Sequence, residues 1–392
     1  MEMLMKVISV LLILACSFIH AISGKQLNIL VFGGNGFIGA ETVERILSGN
    51  HKVTLVNRGN WYWDSGIKIK PFVQHITCDR AQPLKDCNLL QSFLLESGES
   101  LYFDFVIDFS GYFSFQITDV LEAFRNQIGK YIYISSDSVY EVCKEKHHYE
   151  FTVETDAVRP VDEKLQQELN EKDDYGHQKL ECEEELIQDG VPYLILRLPD
   201  VIGARDNTLR WWMYQLWIKL SDHLTRPITI PKRLFYKSLS FVYVKDVSDL
   251  IVNSLSFKPD VFNEAYNLAF SETQTLYQLL SHIRDKIGKG STNIYLNERE
   301  DYMHLFPSVT LGPINIVKAK ERLGWNPTLF EKAAEKTTKF YENAISNISF
   351  TAEADRVIEK IQKYCTDNQH DVYNGLYQEY GISTGHHIKQ DL

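Results

Sequence analysis

The sequence predicts an α/β chain built on a doubly wound parallel sheet, and three observations predict it. Short apolar runs alternate with helical stretches from Leu27 to Leu198. The first run, Leu27 to Phe32, is almost wholly apolar, as a strand covered on both faces requires. Gly33, Gly36 and Gly39 then follow at G-x-x-G-x-x-G spacing and lead into a helical stretch, Ala40 to Leu47. In such a turn the glycines allow a sharp reversal and close approach of a pyrophosphate. The helix N-terminus adds free N–H groups and the positive end of its dipole. The stretch is therefore read as a dinucleotide site, against the alternative of a tight strand–helix turn with no ligand.

The remaining elements follow in chain order. His51 to Asn57 reads as the second strand and runs into Asn57-Arg58-Gly59. A cofactor with a free ribose 2′-hydroxyl usually meets an acidic residue there. This chain has none, and Arg58 suits a 2′-phosphate, which favours NADP over NAD. Otherwise Arg58 is a solvated loop arginine. Trp61, Tyr62 and Trp63 either cover an adenine or form a packed aromatic loop. Phe72 to Thr77 is the third strand, ending at Asp79, which either accepts from an adenine amino group or caps a turn. Phe103 to Phe109 is the fourth, running into Ser110-Gly111-Tyr112. Lys130 to Ile134 is the fifth, with Ser135 and Ser136 at its carboxyl end. Ligands of such sheets bind outside the carboxyl ends, where the strand order reverses.

Glu141 to Asp174 is acidic, with helical pattern in Glu163 to Leu169, and reads as a surface insertion. Asp174 to Gln188 reads as a long helix carrying Tyr175 and Lys179, and Val191 to Leu198 as the next strand, ending at Pro199. Asn207 to Leu220, with Trp211, Trp212 and Trp217, reads as a helix packed on a core or lining a substrate pocket. Leu239 to Val244 is a strand leading into a helix from Val247 to Ser256. Thr351 to Tyr364 has amphipathic spacing, and the polar run after it reads as loosely ordered. The expected organisation is a signal peptide at 1–23 and a Rossmann-like doubly wound domain at 24–200. A smaller mixed substrate-binding region follows at 201–345, then a C-terminal helix and tail at 346–392.

A hydrophobic content of 44% is enough for a sizeable core, and a net charge of -11 argues against a nucleic-acid surface. Lys6, the apolar run Val7 to Ile19 and the small residues before Gly24 make a signal peptide, with an uncleaved anchor as the alternative. The ending Lys389-Gln390-Asp391-Leu392 is similar to a KDEL-type retrieval signal, so the endoplasmic reticulum lumen is the expected address and secretion the alternative. Asn347-Ile348-Ser349 is a glycosylation sequon. The cysteine spacing suits no zinc site; Cys78 and Cys87 are the nearest candidates for a disulfide, and burial in the core is the other reading.

The chemistry rests on Ser136, Tyr175 and Lys179. Tyr175 and Lys179 are four apart on one helix face. A free phenol, with a pKa of about 10, is a poor base at neutral pH. A nearby ammonium and a positive nicotinamide ring favour the phenolate. Tyr175 then moves a proton to or from a substrate oxygen while hydride passes to or from the nicotinamide. Ser136 hydrogen-bonds the same oxygen, and Lys179 holds the nicotinamide ribose. The bland alternative for Tyr-x-x-x-Lys is a surface pair on a helix.

The motifs GGNGFIG (33–39), NRG (57–59), DFSGY (108–112), YISSDSVY (133–140), YGHQK (175–179), LRLPDVIGARD (196–206), FVYVKDV (241–247) and KERLGWNPT (320–328) together resemble the short-chain dehydrogenase/reductase superfamily, in its extended epimerase/dehydratase branch. The resemblance implies a Ser136, Tyr175, Lys179 triad. It also implies a cofactor contact set of Gly33, Asn35, Gly36, Phe37, Ile38, Gly39, Asn57, Arg58, Asp79, Ser110, Tyr175, Lys179 and Pro199. Two arginines that nucleotide-sugar epimerases of that branch use on a diphosphate are absent; Leu239 stands in one position. Arg205, or Lys232 with Arg233, remain as candidate anion grips. The NRG motif and the segment HLFPSVTLGPINIVKAKERLGW look closer to relatives of the chloroplast stem-loop-binding proteins. Dimerisation through the Tyr-x-x-x-Lys helices is a further implication. The expected function is an NADP-dependent oxidoreductase or epimerase/dehydratase acting on an alcohol or ketone, with no metal. The alternative is a non-catalytic nucleotide-binding or scaffold protein; an RNA-binding role is opposed by the charge.

Overall fold

The computed structural model describes residues 25–148, 150–299 and 303–382. The expected signal peptide and the KDEL-like ending lie outside these residues. Six strands form in order: β1 (Asn28–Phe32), β2 (Lys52–Asn57), β3 (Gln74–Thr77), β4 (Phe103–Asp108), β5 (Ile128–Ser136) and β6 (Tyr193–Leu198). Shorter strands follow: β7 (Asp200–Ile202), β8 (Thr229–Pro231), β9 (Phe241–Tyr243), β10 (Glu264–Asn267) and β11 (Tyr295–Asn297). The main sheet runs β3-β2-β1-β4-β5-β6-β10, and every pair is parallel. This is the doubly wound order, with the reversal between β1 and β4. β10, from the expected substrate-binding region, therefore extends the same sheet, while β7 pairs with β9 and β8 with β11 in two separate two-stranded sheets.

β1 shows why the strands read as unbroken apolar runs. Ile29 and Val31 face one core, Leu30 and Phe32 the other, and all four are fully buried. Leu90, Val120, Cys182 and Leu186 from three helices cover the Leu30 face. The helices Phe37–Ser48 and Val244–Ser254 pack together on the other, where the Thr42 and Ser248 hydroxyls lie 3.0 Å apart.

The helix Arg210–Lys219 buries every residue from Trp211 to Ile218, so the tryptophans fill the core and do not line a pocket. Two sequence expectations need correction. The run after Tyr364 is ordered into a helix, Gln369–Tyr380, because Val372 and Leu376 repeat at helical spacing and bury. Asn368 caps its start, and Gly381, in the left-handed region, ends it. The acidic segment 141–174 is at the surface over the helix Glu163–Lys172, which buries nothing, but is tied to the core at other points. Glu141, Val142 and Cys143 are buried, Thr152 exchanges backbone bonds with Pro313 and Asn315, and the Glu154 carbonyl accepts from Arg197. Cys78 and Cys87 form a disulfide, while Cys143, Cys182 and Cys365 are buried thiols. The sequon asparagine, Asn347, is exposed.

Candidate cofactor and catalytic site

The carboxyl ends of β1, β2, β3 and β4 enclose a cleft of about 290 Å³. Gly33, Asn35, Asn57, Arg58, Asp79 and Ser110 of the expected contact set line it, together with Tyr62, Cys78, Arg80, Tyr112 and Gln116. Gly33 is left-handed at φ 78°, and a Cβ on Gly39 would collide with the Gly33 carbonyl, so the turn closes only with glycines at both ends. Asn35 donates to the Asn60 carbonyl, joining the turn to the loop after β2. Asn57 accepts from the Gly59 N–H at 2.7 Å and holds the NRG loop in its tight turn. That leaves Arg58 exposed at the rim. The Asp79 carboxylate accepts from the Ala81 N–H at 3.0 Å and also lines the cleft. The aromatic trio divides: Tyr62 lines the cleft, Trp61 stacks edge-on to His75, and Trp63 is buried against Trp212, Phe340 and Phe350.

The floor is a residue the sequence reading missed. Arg80 is buried and donates to Asp108 at 2.7 Å, to Ser110 Oγ at 3.2 Å and to the Gln116 carbonyl at 2.7 Å. Its guanidinium lies 4.4 Å from the Phe32 ring centre. An arginine directly after a strand-end aspartate was the available signal. Asn57 Nδ2 and Arg80 Nε are buried without partners, and both residues face the cleft. Unsatisfied buried donors beside a glycine turn fit the adenosine half of a dinucleotide.

Ser136 and Tyr175 come together at the carboxyl end of β5. Gly176 is the local cause: a Cβ there would collide with the Ser138 carbonyl, so only glycine lets the helix Asp174–Asp189 seat on the turn after β5. Ser136 Oγ accepts from the Ser138 N–H at 3.1 Å, and the Ser136 side chain acts to lower the Tyr175 pKa. The Tyr175 ring also lies 6.3 Å from Tyr112, which borders the cleft. Pro199 is the buried link between β6 and β7.

The electrostatics depart from the sequence expectation. Burial, then Tyr112 and Asp137, push the Tyr175 phenol above its ordinary value, and Ser136 and Arg210 only partly oppose them. Lys179 is not pointed at the phenol. Its Nζ donates to the carbonyls of Ile134 at 2.6 Å and Gly111 at 2.9 Å, under the Tyr133 ring. Burial lowers its pKa to about 8. Burial therefore favours the neutral phenol, and Lys179 is held by two backbone carbonyls instead of turning to Tyr175.

Around this pair lie groups that the sequence did not single out. Asp137, next to Ser136, is buried near Asp200 and Glu141, and its carboxyl is raised well above the usual range by burial first. Asp200 pairs with Arg210 and accepts from the Ser308 N–H at 2.8 Å and its hydroxyl at 2.6 Å. Glu141 accepts from the Thr310 N–H at 2.6 Å. Ser308 and Thr310 thus tie the segment 305–311 to β7 and to the turn after β5. Of the candidate anion grips, Arg205 is not solvated: it is buried and bound to Glu44 at 2.7 Å and Asp64 at 2.9 Å. Lys232 pairs with Glu298, and Leu239 is core.

A parallel sheet in this order with a glycine turn after β1 is a Rossmann-like fold, and a strand-end serine with Tyr-x-x-x-Lys on the following helix stands beside its switch point. Residues 115–269 match the model of the NAD dependent epimerase/dehydratase family. It is 27% identical over 361 residues to the chloroplast stem-loop binding protein of 41 kDa b of Arabidopsis thaliana, covering 86% of this chain and 84% of the relative. It is 26% identical over 319 residues to a putative UDP-glucose 4-epimerase of Methanocaldococcus jannaschii, covering 77% and 93%. Among solved structures it resembles the UDP-glucose 4-epimerase of Thermotoga maritima, with a TM-score of 0.61 at 19% identity over 82% of this chain and all of that one. The UDP-glucuronic acid 4-epimerase of Bacillus cereus, solved in complex with NAD, superposes with a TM-score of 0.59 at 20% identity, covering 81% and 99%.

Proposed function

We propose that this chain is an NAD(P)-dependent enzyme of the epimerase/dehydratase type, acting on an alcohol or ketone carbon of a small, sugar-derived molecule. The observation that carries the reading is the convergence of Ser136 and Tyr175 beside the cleft reached through Tyr112. When bound, a nicotinamide dinucleotide supplies the hydride acceptor or donor. Gly33, Asn57, Arg58, Asp79 and Arg80 hold its adenosine half in this reading. Ser136 holds the reacting oxygen by a hydrogen bond, and the Tyr175 phenol gives it a proton or takes one. Lys179, anchored on Gly111 and Ile134, supplies positive charge below Tyr112 and Tyr133.

Burial raises the Tyr175 phenol, which favours proton donation, and a positive nicotinamide ring beside it would favour the base form. The absence of a carboxylate at the end of β2, with Arg58 at the rim, supports NADP over NAD. The N-terminal apolar run and the KQDL ending support a luminal address. Titrating purified protein with NADPH and NADH, and assaying turnover of the Tyr175→Phe variant, tests the reading. Saturable binding with lost turnover is expected; unchanged turnover in that variant would remove the mechanism.

A further inference from the structure

The second glycine of a G-x-x-G-x-x-G turn lacks a side chain so that a diphosphate can approach the backbone. In this structure that space is taken. A Cβ built on Gly36 would collide with the Asn207 side-chain amide and lie 3.2 Å from a ring carbon of Tyr62. The cleft accordingly holds the adenosine side, and Gly36 is not among its lining residues. Two segments distant in sequence meet over the turn: the loop after β2 through Tyr62, and the loop after β7 through Asn207.

Both segments are tied to the helix Thr351–Tyr364. Glu353, buried on that helix, accepts from the Trp63 N–H at 2.8 Å. Arg356, exposed one turn further on, donates to the Asn207 carbonyl at 3.0 Å. The Asn207 loop is itself a tight reversal, with Arg205 and Leu209 both left-handed and Arg205 bound to Glu44 and Asp64. The Asn207 Oδ1 is buried without a hydrogen-bond partner. An unsatisfied amide oxygen is costly to keep buried. The tethers, rather than its own bonding, hold Asn207 over Gly36, and turning the side chain aside would hydrate the amide.

We propose that the diphosphate subsite is gated by Asn207 and Tyr62, and that the helix Thr351–Tyr364 sets how readily the gate opens. The proposal rests on the reading that a dinucleotide binds at the glycine turn. Opening needs only rotation of two side chains; the sheet and the glycine turn stay as they are. A gate slows entry and exit alike, whereas a residue that only contacts the cofactor changes exit.

The test is stopped-flow binding of NADPH and NADH, followed by nucleotide fluorescence, on the full chain and on Asn207→Ala, Arg356→Ala and Arg356→Lys. Arg356 is exposed, and circular dichroism confirms that its variants fold. The expected result is that Asn207→Ala and Arg356→Ala bind and release about tenfold faster with affinity moved by less than about threefold, while Arg356→Lys behaves as wild type. Binding confined to the two alanine variants overturns the gate, because affinity and not only rate has then changed. Identical rate constants in all four proteins overturn the gate and leave the cofactor reading intact. Faster release with unchanged entry also overturns it, because Asn207 is then a contact residue. Absence of binding by any of the four overturns the cofactor reading and the gate together.

Discussion

Arg80 and Asp108 form an ion pair of 2.7 Å beneath the cleft, with Asp108 fully buried. Asp108 ends β4 at the switch point, and Arg80 stands just beyond β3, so the pair ties the outer strands of one half to the strand beyond the reversal. Asp108 also accepts from the Ser110 N–H at 2.9 Å and the Tyr131 hydroxyl at 2.7 Å. Replacing Asp108 by Ala leaves a buried guanidinium unpaired. A loss of about 3–5 kcal/mol in chemical denaturation is expected, with weakened nucleotide binding. A loss below about 1 kcal/mol would mean that water takes over the role of the carboxylate.

Tyr175→Phe removes one oxygen from a residue that is 46% exposed overall although its phenol end is desolvated. Stability should change by less than about 0.5 kcal/mol, as for other surface substitutions. Turnover should fall by about 10²–10⁴-fold, the range for a lost proton-transfer group, with nucleotide affinity retained. A steady-state assay beside a binding titration reads both.

Arg58 separates the two nucleotides. Arg58→Ala should weaken NADPH by about tenfold or more, the loss of a charge-assisted phosphate contact, and leave NADH unchanged. Equal losses for both would place Arg58 on the adenine or ribose common to them. Competitive fluorescence titration distinguishes the two outcomes.

Asp137 predicts a pH dependence. Burial, Asp200 and Glu141 raise its carboxyl above the ordinary value. Below the unfolded-state value, about 3.9, the group is protonated in both states and has no effect. As the pH rises past that value the unfolded chain gives up its proton and the folded chain keeps it, so stability falls. Asp137→Asn should therefore raise unfolding free energy by about 1–2 kcal/mol at neutral pH. The gain should vanish toward pH 4 and below. Thermal melts of both proteins across that range check the sign.

The disulfide closes a loop of sequence separation 9 whose first residues line the cleft. Cys87→Ser should cost about 2–3 kcal/mol, mostly by freeing the unfolded chain. The same loss should appear on reducing the wild-type protein, and none on reducing the variant.

The sequence alone determined the first six strands, the doubly wound class of their sheet, the glycine turn and the placing of Tyr175 and Lys179 on one helix, but not β10, the sheet's last strand. These follow from local periodicity and from residue types that only one backbone geometry accepts, such as Gly33 and Gly39 around a closed turn. Asp79 and Arg58 were legible as strand-end residues for the same reason. Tertiary structure decided what those groups meet. Lys179 turned to two carbonyls, Arg205 went to Glu44 and Asp64, and the segment 305–311 came to Asp200 and Glu141. The meeting of Asn207 with Gly36, and of Glu353 with Trp63, joins residues far apart in the chain. Such contacts depend on how helices seat on the sheet, and no local pattern records them, because side-chain charge and hydrogen bonding are settled by whichever partner the packing brings within about 3 Å.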